Sequence, residues 1–293
     1  MPIRNLFMLP FDHRASFSRD LLKITGQLDS NQTQKIAKLK NLIFLAFLNT
    51  YAKYRNDNFA ILVDEQFGGE VIRGCKEFGI EFATSVEKSG QKIFDFEYGT
   101  DYQKHLTKIN PNYAKVLVRY HPENVQDNEI QLKRLVDLST FCEKKDIKLL
   151  FELLLNPSDK DIEKAGSREN FDNMYRADLM KQAVREVRSV LKPTIWKLEG
   201  MNSHEEWDKI LSVLSPEEKI IVLGRGENKE NVSKWLDIAA KKPNIVGFAI
   251  GRTIFYNPLK KYLAKEISES SCVSEIASNF EEFIVEWKNF KSL

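Results

Sequence analysis

Eight short apolar runs recur along the chain, and their spacing is the feature that most narrows its fold. They fall at residues 6–12 (LFMLPFD), 59–65 (FAILVDE), 81–86 (EFATSV), 114–120 (AKVLVRY), 147–155 (IKLLFELLL), 194–199 (TIWKLE), 219–224 (KIIVLG) and 245–251 (IVGFAIG). Each has the length of a strand, and most are continuously apolar rather than alternating. That is the pattern of parallel strands covered on both faces. Between them lie segments with helical spacing: 31–54, with a cap at Ser30 or Asn31; 69–78, closed by Gly79; 128–145; 176–191; 203–214; 229–241; and 274–291. Pro193 and Pro243 each stop a helix just before a strand. Strands alternating with helices predict a parallel α/β architecture.

An open doubly wound sheet announces itself with G-x-G-x-x-G after its first strand. Here that strand runs into Phe11-Asp12-His13-Arg14, without glycine. Glycine instead follows the seventh and eighth runs, in Gly224-Arg225-Gly226 and Gly251-Arg252-Thr253. A closed barrel commonly places a phosphate after those two strands. The expected fold is therefore one (β/α)8 TIM barrel domain over residues 1–293. The polar, poorly periodic stretch 159–173 reads as a mobile loop over the site.

Charge excludes some partners. Forty-four basic and 42 acidic side chains leave a net charge of +2, no footprint for nucleic acid or an anionic membrane. No run approaches the roughly 18 apolar residues of a membrane span. Met1-Pro2-Ile3-Arg4 opens no signal peptide. Cys75, Cys142 and Cys272 are odd in number and far apart, which suits free thiols in the cytoplasm. His13, His105, His121 and His204 are not spaced as metal ligands. The sequence leaves a homo-oligomer open.

Barrel enzymes carry their chemistry at the C-terminal strand ends, so polar residues inside the runs are the candidates. In TIWKLE, alternation puts Lys197 and Glu199 on one face. Burial disfavours an ammonium, and a lysine held neutral there can attack a ketone and form an imine. A lone strand lysine is more often paired to a carboxylate or snorkelling out, so its company matters. Glu152 interrupts LLFELLL, where a carboxylate needs a reason. It is a buried ion-pair partner or a proton carrier. Lys115 and Arg119 share a face of AKVLVRY. Lys115 reads as a solvated strand start or as a second cation near the imine. Asp12 and Asp64-Glu65 end the first two strands, as helix caps or as partners of sugar hydroxyls. The two glycine–arginine turns combine close backbone approach with a forked charge, and so suit a phosphate.

Six motifs stand together in order: Pro10-Phe11-Asp12-His13-Arg14, Leu62-Val63-Asp64, Lys115-Val116-Leu117 with Pro122, Phe151-Glu152-Leu153, Trp196-Lys197-Leu198-Glu199 and Ile250-Gly251-Arg252-Thr253. In this the chain resembles the class I tagatose-1,6-bisphosphate aldolase family. LVDEQFG, VLVRYHP, IWKLEG and FAIGRTIF are more similar still to the aldolase-like domain fused to 5-dehydro-2-deoxygluconokinase in bacterial myo-inositol catabolism. The resemblance spans residues 6 to about 263. It implies metal-free Schiff-base cleavage of a phosphorylated keto-sugar, with no cofactor beyond a covalent imine. Lys197 would be the imine former, Glu152 the acid/base, Lys115 the second active-site lysine, Asp12 (with Arg14 in the same motif) a neighbour of substrate hydroxyls, and Arg252 a phosphate ligand. The chain departs from the family in having Gly224-Arg225-Gly226 where a serine-containing turn is usual, and Arg119 where an aromatic residue is usual. The implied substrate is 6-phospho-5-dehydro-2-deoxy-D-gluconate, with Arg119 or His121 facing its carboxylate. Fructose- or tagatose-1,6-bisphosphate, or a non-catalytic phosphosugar-binding barrel, are the alternatives.

Overall fold

Each of the eight apolar runs forms a strand, and the strands pair in parallel, in sequence order, until the last meets the first. The structure is a computed structural model that describes residues 5–292; the opening Met1-Pro2-Ile3-Arg4 lies outside them. The order is β1 (Leu6–Pro10), α1 (Ala15–Leu22), α2 (Ser30–Lys53), β2 (Asn58–Val63), α3 (Gly69–Phe78), β3 (Glu81–Ser85), a 3-10 turn at Gly99–Asp101, α4 (Tyr102–Ile109), β4 (Tyr113–Tyr120) and α5 (Val125–Lys145). It continues with β5 (Lys148–Leu155), α6 (Asp159–Ala165), α7 (Arg168–Met174), α8 (Arg176–Val190), β6 (Ile195–Glu199), α9 (His204–Leu211), β7 (Lys219–Leu223), α10 (Lys229–Ala240), β8 (Ile245–Ala249), α11 (Arg252–Leu263) and α12 (Glu269–Ser292). This is a (β/α)8 TIM barrel.

Two apolar layers hold it together. Leu6, Met8, Ala60, Leu62, Ala83, Tyr113, Leu150, Ile195, Ile221 and Val246 fill the inside of the barrel. The opposite strand faces, among them Phe7, Phe59, Phe151, Trp196 and Phe248, pack under the helices. Burial on both faces explains why the runs read as continuous. The ring closes where β8 meets β1, and there Gly247 lets the backbones approach. A Cβ on it would lie 1.9 Å from the Leu6 carbonyl oxygen.

Helix ends follow their caps, with some corrections. The α2 helix is capped by Asp29, not by Ser30 or Asn31; Asp29 and Gln32 form a reciprocal capping box. Gly79 closes α3 with φ of 66°, as its sequence predicts. The stretch expected to be a loop over the site is instead α6 and α7, capped by the side chains of Ser158 and Ser167. The sequence reading also passed over α1, α4 and α11. The first lacks a side-chain cap, the second has eight residues, and Pro258 disguises the third.

Candidate active site

The inward face of each strand changes character along its length. On β1 it runs Leu6, Met8, Pro10 and then Asp12. On β3 it runs Ala83, Ser85, Glu87; on β4 Tyr113, Lys115; on β5 Leu150, Glu152; on β6 Ile195, Lys197, Glu199. The apolar members fill the N-terminal layers, and the polar members meet in one layer towards the C-terminal mouth. Strand register sets the pairs. Glu152 sits directly opposite Lys197, and Ser85 opposite Lys115.

These side chains form one buried network. Lys197 Nζ lies 2.8 Å from Glu152 Oε2, and Lys115 Nζ approaches the same oxygen at 3.1 Å. Lys115 Nζ also lies 2.8 Å from Asp12 Oδ2 and 2.7 Å from Glu87 Oε1, while Ser85 Oγ donates to Asp12 Oδ2 at 2.8 Å. Lys115 is 2% exposed, Lys197 5% and Glu152 6%, so their charges act through little solvent.

Burial would strip the proton from Lys115, but Asp12, Glu152 and Glu87 outweigh it and hold the ammonium well above its usual range. Burial pushes the Asp12 and Glu152 carboxyls up; the nearby lysines, Lys115 foremost, pull both below the usual carboxylate range. Burial wins at Glu87, which is raised. Lys115 is therefore a fixed cation, Asp12 and Glu152 carry charge, and Glu87 takes up a proton readily. Burial also lowers the neighbouring His13 imidazole to about 4, so it is neutral at pH 7.

The other expected residues scatter around this centre. Asp64 is not open to a sugar hydroxyl. It is buried in an ion pair with Lys40 and accepts from the Phe67 amide. Arg14 donates to Glu97 at 2.7 Å and to the Glu87 carbonyl, and so braces the turn that carries Glu87. Arg119 is exposed and donates to the Gln91 carbonyl. His121 is buried, with Nε2 2.8 Å from Asp161 Oδ2, so its ring is turned to α6 rather than to a ligand. Arg225 stands 3.0 Å from Glu199 and 2.9 Å from Asp172. Arg252 is exposed at the start of α11, and its Nη2 donates to the Arg225 carbonyl at 2.7 Å. Gly226 makes room for that guanidinium, which a Cβ there would meet at 2.6 Å. Gly251 abuts the Pro10 carbonyl, and Gly224 packs on Ile250 and Val232. The two turns thus touch each other, with their arginine charges directed differently.

Sequence reasoning missed Ser85, Glu87, Lys40 and Arg176. Ser85 and Glu87 were legible as inward positions two and four after Ala83. Lys40 lies on the buried stripe Ile36, Leu39, Ile43, Phe47 of α2, and it donates to the Phe11 and His13 carbonyls on either side of Asp12. Arg176 gave no signal; it opens α8 and is 1% exposed. Among the described residues, no three or more of His, Cys, Asp and Glu are grouped to hold a metal ion. No helix among them is long and apolar enough to cross a membrane.

A family model described as "Uncharacterized protein conserved in bacteria (DUF2090)" matches residues 2–291. No curated protein matches the chain. Among solved structures, the crystal structure of Cgl0159 from Corynebacterium glutamicum is similar, with a TM-score of 0.57 and 13% identity, over 95% of this chain and 86% of that one. At that identity the likeness concerns the fold.

Proposed function

This chain belongs to the DUF2090 family, and from its buried lysine–carboxylate network we propose that it is a cytoplasmic class I aldolase whose Lys197 forms a Schiff base with a phosphorylated keto-sugar. One observation carries the reading: two lysines of unlike setting share the same oxygen of Glu152. Lys115 has three carboxylates around it and stays a cation. Lys197 has Glu152 alone within salt-bridge distance and is the amine assigned to the imine. The buried free cysteines suit the compartment.

The steps follow from these roles. The Lys197 amine, having given a proton to Glu152, adds to the ketone carbon. Glu152 returns the proton to the carbinolamine oxygen, and water leaves. An acid held below its usual pKa donates readily when transiently protonated, which suits this step. The resulting iminium draws electrons from the bond between its α and β carbons as a base takes the β-hydroxyl proton; Asp12, ionised and fixed by Lys115 and Ser85, is that base. An aldehyde departs. The enamine takes a proton at the carbon next to the imine, and water hydrolyses the imine to free dihydroxyacetone phosphate and Lys197. With 6-phospho-5-dehydro-2-deoxy-D-gluconate the aldehyde is malonate semialdehyde. The resemblance in sequence to the inositol-pathway domain selects that substrate, and exposed Arg119 on the inward face of β4 suits its carboxylate.

Borohydride reduction in the presence of dihydroxyacetone phosphate is expected to leave a stable adduct on the peptide containing Lys197. Lys197→Ala should show neither adduct nor turnover. Tight phosphosugar binding with no adduct would make the protein a receptor on an aldolase-like barrel.

A further inference from the structure

Beside Glu199, three arginines face two acids. Arg225 is paired to Glu199 and Asp172, and Arg168 and Arg176 approach Asp172 at 3.6 and 3.8 Å. Three features set this cluster apart from an ordinary surface network. Arg176 is 1% exposed, yet its Nε and Nη1 have no hydrogen-bond partner, and neither has Asp172 Oδ1, which lies opposite the Nε. A separation of 3.8 Å is too long for a hydrogen bond. Arg225 has φ of 52°, a backbone region that L side chains seldom adopt, and the adjoining Gly226 has φ of 80°. The turn after β7 is thus bent so that Arg225 points back over the mouth, and Arg252 fixes it by its bond to the Arg225 carbonyl. Finally, Asp172 comes from the short helix α7, with its side chain about one-fifth exposed, so that a single rotamer change takes it to solvent.

We propose that Arg176 and Arg225 form a subsite for an oxyanion group of the substrate, and that Asp172 is its displaceable internal counter-ion. Asp172 holds the two guanidiniums in place but completes hydrogen bonds with only one. A phosphate or carboxylate that replaces it accepts from Arg225 Nη1 and from the unpartnered Nε of Arg176 together. Glu199 stays bound to Arg225 Nε and keeps that side chain oriented. Lys197 lies two residues before Glu199 on the same strand face, roughly 7 Å away. An anion in the subsite therefore belongs to the molecule whose carbonyl carbon reaches Lys197. This rests on reading the barrel mouth as the substrate site, and it adds Arg176 and Asp172 to the residues that select for an acidic sugar.

The test is calorimetric titration with inorganic phosphate and, separately, malonate. Neither probe forms an imine, so titrations in a Lys197→Ala background read the subsite alone, while borohydride trapping reads the aldolase chemistry alone. Asp172→Ala removes the competing carboxylate and should tighten one probe at least roughly tenfold, the worth of one charged hydrogen bond. Phosphate gaining more marks a sugar phosphate end; malonate gaining more marks a sugar acid. Adding Arg225→Gln should abolish the gain. Asp172→Asn keeps the shape of the side chain and covers the case in which the alanine variant folds poorly. No tightening with either Asp172 variant, or a gain that survives Arg225→Gln, overturns the proposal.

Discussion

At the residue scale the candidate site is an exercise in unequal charge. Three carboxylates surround Lys115, and that ammonium is what makes their burial tolerable. Removing it, as in Lys115→Met, leaves like charges in low dielectric and should cost about 3–5 kcal/mol of stability at neutral pH. The sign of the pH effect distinguishes this from simple loss of packing. In the native protein Asp12 and Glu152 sit below the usual carboxylate range, so their contribution is present above about pH 4 and is lost as pH falls through their folded values. Without Lys115 the same acids move up, the folded state binds protons more tightly than the unfolded one, and acid stabilises. The deficit of the variant, read from urea midpoints, should therefore shrink by about 1 kcal/mol or more between pH 7 and pH 5. A deficit that stays constant would mean Lys115 is packing, not charge. Glu152→Gln keeps the shape but cannot accept a proton, and should slow turnover about 10²–10⁴-fold; unchanged turnover would move the proton transfer elsewhere. Much of this centre was legible because an ionisable residue inside an apolar run is conspicuous. Asp12, Lys115, Glu152 and Lys197 stood out for that reason. Arg176 did not, because its burial is decided by the connection folded over it and not by its own neighbours in sequence.

At the scale of elements, the strands were readable and several helices were not, and the physical reason is the same. A strand buried on both faces is apolar at nearly every position, so β1, β5 and β7 declare themselves. A short helix at the rim needs only one buried side chain and a cap. The buried residues of α6 and α7 are only Ala165 and Phe171, too few to make a period, and the capping Ser158 and Ser167 in front of them are side chains equally at home in a loop. What no periodicity discloses is where the barrel closes. Parallel strands in sequence order still require β8 to come within hydrogen-bonding distance of β1, and Gly247 allows it. Gly247→Ala would drive a methyl group into the Leu6 carbonyl at 1.9 Å, a contact relieved only by moving backbone. A loss of at least about 2–3 kcal/mol is expected, measured as a lower urea midpoint. A near-neutral Gly247→Ala would show that the seam has slack and that closure is held elsewhere.

At the scale of the whole molecule, the candidate site and the aromatic packing over the closing seam lie at different places on one barrel. The polar layer lies at the C-terminal mouth. Far from it, α12 lies across the β8–β1 seam, where Phe280, Phe283 and Trp287 pack on Phe248 and the Trp287 indole donates to Asn5 just before β1. Trp287 is fully buried, and Trp287→Ala should cost about 3–5 kcal/mol. Yet β1 also carries Asp12 at its other end, and the backbone there is pinned separately by Lys40 through the Phe11 and His13 carbonyls. With that clamp between them, damage at the base should not reach the mouth while the barrel stays folded. Trp287→Ala is therefore expected to lower the melting temperature clearly, while borohydride trapping at Lys197, run well below the melt, proceeds at the wild-type rate. If trapping slows in step with the loss of stability, the Lys40 clamp does not isolate Asp12, and the geometry of the site is set by the packing of the entire barrel rather than by the polar layer itself.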